Sequence, residues 1–198
     1  MLNISHQNPV ILASRSPRRK ILFSYIGIPY EILASEIEER QLENEKPESH
    51  VIRLSCLKAM DVHDKIPKRI IVGVDTIVEL NGKIMGKPSN KIEAQDMLNQ
   101  LSGQTHRVFT GVSVAGINSE NCISGCEVSY VKFRKLGLTE IEWYLNTGEY
   151  IGKAGSYGIQ GKGLKLIEHW TGSFSNIVGL PLRLTQNLLF SEYGNENV

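Results

Sequence analysis

The chain reads as an α/β protein built on a mixed β-sheet. Strand and helix signals alternate along its length without repeats, low-complexity stretches or a Gly/Ser linker. The run Ile70-Ile-Val-Gly-Val74 is continuously apolar, as a buried central strand requires. Asn81-Gly82, between Ile77-Val-Glu-Leu80 and Lys83-Ile-Met85, is the strongest short hairpin signal a sequence carries, so antiparallel pairing enters the sheet.

The elements follow in order. An apolar strand beginning at Ile11 leads into a helix, with Ser16 suited to the N-cap and Pro17 to the first helical position. Ile21, Leu22, Tyr25 and Ile26 then recur at helical spacing until Gly27 stops the run. Residues 30–33 read as a strand, followed by the acidic loop Glu36-Ile-Glu38-Glu39-Arg40 and a helix over about residues 47–61 carrying Val51, Ile52, Leu54 and Leu57. The central strand at 70–74 ends with Asp75-Thr76 at its exit, and the hairpin comes next.

A helix over residues 90–101 has the Asn90/Glu93 cap pattern and a Gly103 stop. Residues 108–117 and 122–133 read as long strands, and Thr139 with Glu142 as a capping box opening a helix that ends near Gly148. The stretch Gly152-Lys-Ala-Gly155-Ser-Tyr157-Gly158-Ile-Gln160-Gly161 is too glycine-rich for a regular element and suits close backbone approach to a ligand. Strands at 164–170 and 173–178 and a helix from about Pro181 finish the chain.

Composition narrows the function. At 198 residues, 41% hydrophobic and 22% charged, the chain can bury a substantial core as one domain or two closely joined lobes. Twenty-two basic and 21 acidic residues leave a net charge of +1, too weak a field to steer the protein to nucleic acid or an anionic membrane. No segment approaches the ~20 apolar residues of a membrane span, and the N-terminus lacks a basic region followed by a long apolar stretch, so a cytoplasmic location is expected. The three cysteines show no zinc or redox spacing and read as reduced packing residues; Cys122 and Cys126, four apart on one strand, are separated by roughly 13 Å. The five histidines show no ligand spacing.

Two places carry chemistry. Cations belong at the C-terminal end of a helix dipole, so Arg18 and Arg19 in a first turn break the local rule unless an anion lies between them and the free N–H groups. Guanidinium forks match phosphate oxygens, and phosphate binding is the functional reading; solvated or carboxylate-paired arginines are the structural one. Asp75, wedged between apolar runs, must be paired, hydrogen-bonded or placed on a metal. It reads as a turn cap, as a general base toward water beside bound phosphates, or as a ligand for a divalent cation. Lys87, just past the hairpin, is held near Asp75 by a short connection; Lys58 and Glu39 read on pattern alone as surface residues.

Several motifs together go further. Ser14-x-Ser16-Pro17-Arg18-Arg19, Val74-Asp75-Thr76-Ile-Val78, Gly86-Lys87-Pro88, Phe109-Thr110-Gly111-Val-Ser-Val, Lys153-Ala-Gly155-Ser-Tyr157-Gly158-Ile-Gln160-Gly161 and Val178-Gly179-Leu-Pro181 span nearly the whole chain. In order and spacing the set resembles the Maf family of nucleoside triphosphate pyrophosphatases. The resemblance implies one such domain over residues 1–198, with an elongated mixed sheet, flanking helices and two lobes around a cleft, similar to the house-cleaning inosine triphosphatases. It also implies the reaction, in which water cleaves a nucleoside triphosphate between the α- and β-phosphates, giving monophosphate and pyrophosphate with Mg²⁺ or Mn²⁺.

By the same resemblance Asp75 is the proton acceptor, and Arg18, Thr76 and Gln160 match positions associated with substrate choice. Ser14, Arg19, Glu39, Lys58 and Lys87 match residues lining the phosphate and metal region, with Glu39 the expected metal ligand. Asp75-Thr76 and Tyr157-Gly158-Ile-Gln160-Gly161 look like the branch acting on dTTP and UTP; Val74 and Ser156 stand where alanine is more usual in the family. A homodimer is compatible with the resemblance. A nucleotide-binding regulator of septum formation is the alternative function it leaves open.

Overall fold

In the computed structural model, which describes residues 4–193, the sheet has seven strands in the order β2-β1-β3-β5-β6-β7, with β4 paired to β3. The strands are β1 (Val10–Ala13), β2 (Tyr30–Ile32), β3 (Ile71–Leu80), β4 (Lys83–Met85), β5 (Thr105–Ala115), β6 (Cys122–Phe133) and β7 (Ile167–Thr171). The helices are α1 (Pro17–Ser24), α2 (Pro47–Lys65), α3 (Lys91–Leu101), α4 (Leu138–Leu145), α5 (Phe174–Val178) and α6 (Leu182–Tyr193). β1 runs parallel to both β2 and β3, while the β3–β4 and β6–β7 pairs are antiparallel, so the sheet is mixed as expected.

The chain divides into two compact units. The first takes the residues up to Asp75, Thr110–Glu127 and those from Gly179 on; the second takes Thr76–Phe109 and Val128–Val178. In the first unit the core lies under α2. Side chains alternate across a strand, so Ile11 and Ala13 of β1 and Ile71 of β3 share a face, and Ala59 and Val62 of α2 close over them with Ala115. α2 comes close because two strand positions have no Cβ. A Cβ at Gly73 would overlap the Ser55 carbonyl oxygen and lie 2.7 Å from the Ala59 nitrogen; one at Gly111 would overlap the Val51 carbonyl. Val51 and Ser55 are one helical turn apart, so successive turns of α2 rest directly on β5 and β3.

In the second unit α3 buries Ala94, Met97, Leu98 and Leu101, and its N-cap Asn90 accepts from the Glu93 N–H at 2.9 Å, as the pattern predicts. The glycine-rich stretch forms two short 3₁₀ turns, Ala154–Ser156 and Gly161–Leu166. It is anchored by Tyr157, whose hydroxyl meets His106 Nε2 at 2.7 Å and whose ring lies edge-on to Phe133, centroids 4.7 Å apart.

Four local expectations are corrected. Asp75 lies inside the ten-residue β3 rather than at a strand exit. α1 buries Leu22 and Phe23, with Ile26 buried just past its end, while Ile21 and the C-cap Tyr25 are exposed. α4 is capped by Glu140 accepting from the Gly137 N–H at 3.2 Å, not by Thr139 and Glu142. Residues 174–178 are the helix α5, not a strand: Ser173 Oγ accepts the Asn176 N–H at 3.2 Å, and Asn176 Nδ2 donates to the Val108 carbonyl and to Ser129 Oγ. A tertiary contact overrides the strand signal of Ile177-Val178 there.

Candidate active site

The start of α1 is built as its sequence dictates. Ser16 is the N-cap, its side chain accepting from the Arg19 N–H at 3.5 Å, with Pro17 opening the helix. Just before it, buried Ser14 accepts from the Ser16 N–H and from Arg19 Nη1, both at 3.2 Å. Arg19 also donates from Nη1 to the Val74 carbonyl (3.1 Å) and from Nε to the Gly179 carbonyl (2.8 Å). Its guanidinium thus braces the α1 entrance against β3 and against the turn at Gly179, where φ is 115°, a left-handed conformation that favours glycine.

Asp75 follows Val74 on β3 and is 5% exposed. Two residues on from Gly73, it faces the same way, toward α2. Lys58 lies three residues past Ser55 on α2 and so shares its face. Its Nζ donates to Asp75 Oδ1 at 2.6 Å and pairs with Glu39 Oε1 at 2.7 Å. Asp75 Oδ2 is buried and has no hydrogen-bond partner among the described residues. Burial lowers the Arg19 pKa, opposed by the nearby charges of Asp75 and Glu39, while Arg18 adds to the lowering.

Ser14, Arg18, Arg19, Glu39, Lys58 and Asp75 therefore gather in the first unit, three cations against two carboxylates. Thr76, Lys87 and Gln160 belong to the second unit: Thr76 is half-buried on β3, and Lys87 and Gln160 are exposed. The segments bearing the latter two are tied together where the Gly155 N–H donates to the Gly86 carbonyl at 3.1 Å.

The sequence gives no sign of a role for Gly179, although Val178-Gly179-Leu-Pro181 is among the motifs, nor for Arg53, Glu45 and Asp61, which bond the connection that carries Glu39 at Arg40, Leu42 and Glu36. Arg53 forks onto Glu45 at 2.6 and 2.7 Å. A charged residue on a helix gives no local sign of such a partner.

Chemically, the site offers a helix N-terminus with arginines for an anion and a buried carboxylate with one oxygen uncommitted beside an ammonium. Among the described residues no group of three or more His, Cys, Asp or Glu side chains converges; Asp75 and Glu39 are neighbours through their shared pairing with Lys58 Nζ.

Comparison with known proteins identifies the relatives of the chain. A dTTP/UTP pyrophosphatase of Pyrococcus furiosus is 45% identical over 175 residues, covering 87% of this chain and 90% of that protein. One of Symbiobacterium thermophilum is 41% identical over 180 residues (91% and 92%), and one of Bacillus pumilus 44% over 182 residues (92% and 95%). Among solved structures, the Staphylococcus aureus Ham1 protein is similar at a TM-score of 0.45 and 15% identity, over 80% of this chain and 79% of that one. The family model described as Maf-like protein matches residues 9–192, and the chain belongs to that family.

Proposed function

We propose that the protein hydrolyses dTTP and UTP to the monophosphate and pyrophosphate. The observation that carries this reading is Asp75: a carboxylate inside a strand, buried, held on one oxygen by Lys58 and uncommitted on the other, beside an arginine-bearing helix N-terminus. A module that only binds nucleotide needs the arginines but not a carboxylate kept in so costly a place.

Each residue then has a part. The N-terminal N–H groups of α1, Ser14 and Arg18 hold phosphate oxygens, and Arg19 keeps that helix entrance in register with β3. Lys58 offsets charge spread over the phosphates and holds the Asp75 carboxyl in place through Oδ1. Asp75 Oδ2 accepts the proton of the attacking water. By the family resemblance Thr76 and Gln160, with Arg18, bear on substrate choice, and Lys87 on the phosphates. Glu39, whose carboxylate shares the Lys58 ammonium with Asp75, fits a divalent cation, since Mg²⁺ takes as few as one carboxylate with phosphate oxygens and water, which leaves Asp75 Oδ2 for the proton. When bound, the cation neutralises developing charge on the phosphates.

The test is pyrophosphate release from canonical and modified nucleoside triphosphates with Mg²⁺, Mn²⁺ or EDTA, wild type beside Asp75→Asn. Metal-dependent turnover of dTTP and UTP that collapses in the variant is expected. Nucleotide binding without turnover in the wild type would point instead to a regulatory protein.

A further inference from the structure

Glu39 stands on a connection with no regular structure, exposed from Glu38 through Asn44. Such a segment does not by itself hold a carboxylate against a buried lysine, because ordering each of its residues costs backbone entropy. The structure shows what holds it. Upstream, Asp61 Oδ2 accepts the Glu36 N–H at 3.0 Å, and this bond is the chief reason the Asp61 carboxyl sits below its ordinary pKa. Lys65 Nζ pairs with Asp61 at 3.4 Å and lies 3.9 Å from Glu36.

Downstream, Arg53 Nη2 donates to the Arg40 carbonyl at 2.9 Å while the same guanidinium forks onto Glu45. Glu45 is itself tied to His50 Nδ1 at 2.8 Å and to the Leu42 N–H at 3.3 Å. Between the two fastenings the Arg40 N–H donates to the Glu38 carbonyl at 3.0 Å, which puts Glu39 at the apex of a three-residue turn. The contacts run in reverse order along α2: Glu36 at Asp61, Glu39 at Lys58, Arg40 at Arg53, Glu45 at His50. The connection is therefore laid antiparallel along the helix that carries Lys58.

We infer that Asp61 and Arg53 are positioning residues for the cation site: by fastening the connection on either side of Glu39 they set its carboxylate beside Lys58 and Asp75. This rests on the proposed role of Glu39 as a cation ligand. Neither residue touches substrate; each acts by orienting a ligand, and loss of such outer partners typically weakens metal binding about 10–100-fold.

The experiment measures Mn²⁺ binding, with no nucleotide present, by water-proton relaxation. It compares wild type, Glu39→Gln, Asp61→Ala, Asp61→Asn and Arg53→Lys, each shown to be folded by circular dichroism. Asparagine keeps an acceptor for the Glu36 N–H but removes the charge facing Lys65; lysine at 53 keeps the charge but not the fork. Expected are an about tenfold loss of affinity in Asp61→Ala and Arg53→Lys and near wild-type affinity in Asp61→Asn. Asp61→Ala binding like wild type while Glu39→Gln is weakened would overturn the inference and leave the cation reading standing. Equal weakening in Asp61→Ala and Asp61→Asn would also overturn it, since charge rather than anchoring would then be at work. Unaltered binding in Glu39→Gln would remove the cation reading and the inference with it.

Discussion

Lys58 and Asp75 face each other across 2.6 Å with both side chains more than nine-tenths buried, at 8% and 7% exposure. Breaking such a pair from one side leaves an uncompensated charge, a loss of about 3–5 kcal/mol. Lys58→Met is expected to lower the urea-unfolding free energy by that order, and Asp75→Asn by less, because the amide keeps a neutral acceptor for Nζ. The double variant should then be more stable than Lys58→Met alone. A strictly additive double variant would contradict the pairing.

The two glycines under α2 give a second expectation. Alanine at Gly73 or Gly111 drives a methyl group into the helix main chain, not into a side chain that can turn aside. The loss should be about 3 kcal/mol, the upper end for overpacking. Displacing α2 also displaces Lys58, so turnover should fall in the fraction that remains folded. Urea midpoints and kcat measured on the same preparations check both.

Acid stability should report on His106. Burial holds its pKa down to about 4 from an ordinary 6.5, against the opposing pull of Glu79. Between those values the unfolded chain binds a proton that the native one does not, so stability is full above pH 6.5 and is lost as the pH falls toward 4. The full span is worth about 3 kcal/mol. His106→Gln should flatten the pH dependence of the urea midpoint over that window; an unchanged slope would contradict it.

Thiol reactivity separates the cysteines. Cys122 Sγ lies 3.7 Å from the Cys56 carbonyl. Its hydrogen bond to the neighbouring thiol lowers the pKa of Cys56, against the effect of burial, whereas burial pushes Cys126 up to about 12. Iodoacetamide at neutral pH should modify Cys56 first, and Cys122→Ala should return Cys56 toward ordinary reactivity. Peptide mass mapping across a pH series reads both.

Much of this was legible in the residues, and what was not has a physical cause. The α1 cap, the Asn81-Gly82 hairpin and the Asn90 cap are local signals that pair neighbours in the chain, and they form as read. Family resemblance carried Lys58 and Glu39; pattern alone did not. The buried face of α2 runs through Val51, Leu54, Ser55, Lys58, Ala59 and Val62, with His50 and His63 also buried, and at its middle Ser55 and Lys58 hide it from a reading by hydrophobicity. Each is satisfied from a distance, Ser55 by Ser113 Oγ at 2.7 Å and Lys58 by Asp75 and Glu39. Asp75 looked like the end of a strand because a carboxylate is a poor strand residue; the lysine that makes it tolerable is seventeen positions upstream.

The close seating of α2 on Gly73 and Gly111 bears on how this protein tolerates change. A helix located by its own main chain against a glycine floor does not depend on the shapes of its outward side chains. Residues such as Leu57 and Asp64, exposed on α2, can drift in size and charge without moving the lysine. The register of the site is thereby uncoupled from most of the helix that carries it and concentrated in two positions where almost any replacement is felt at once.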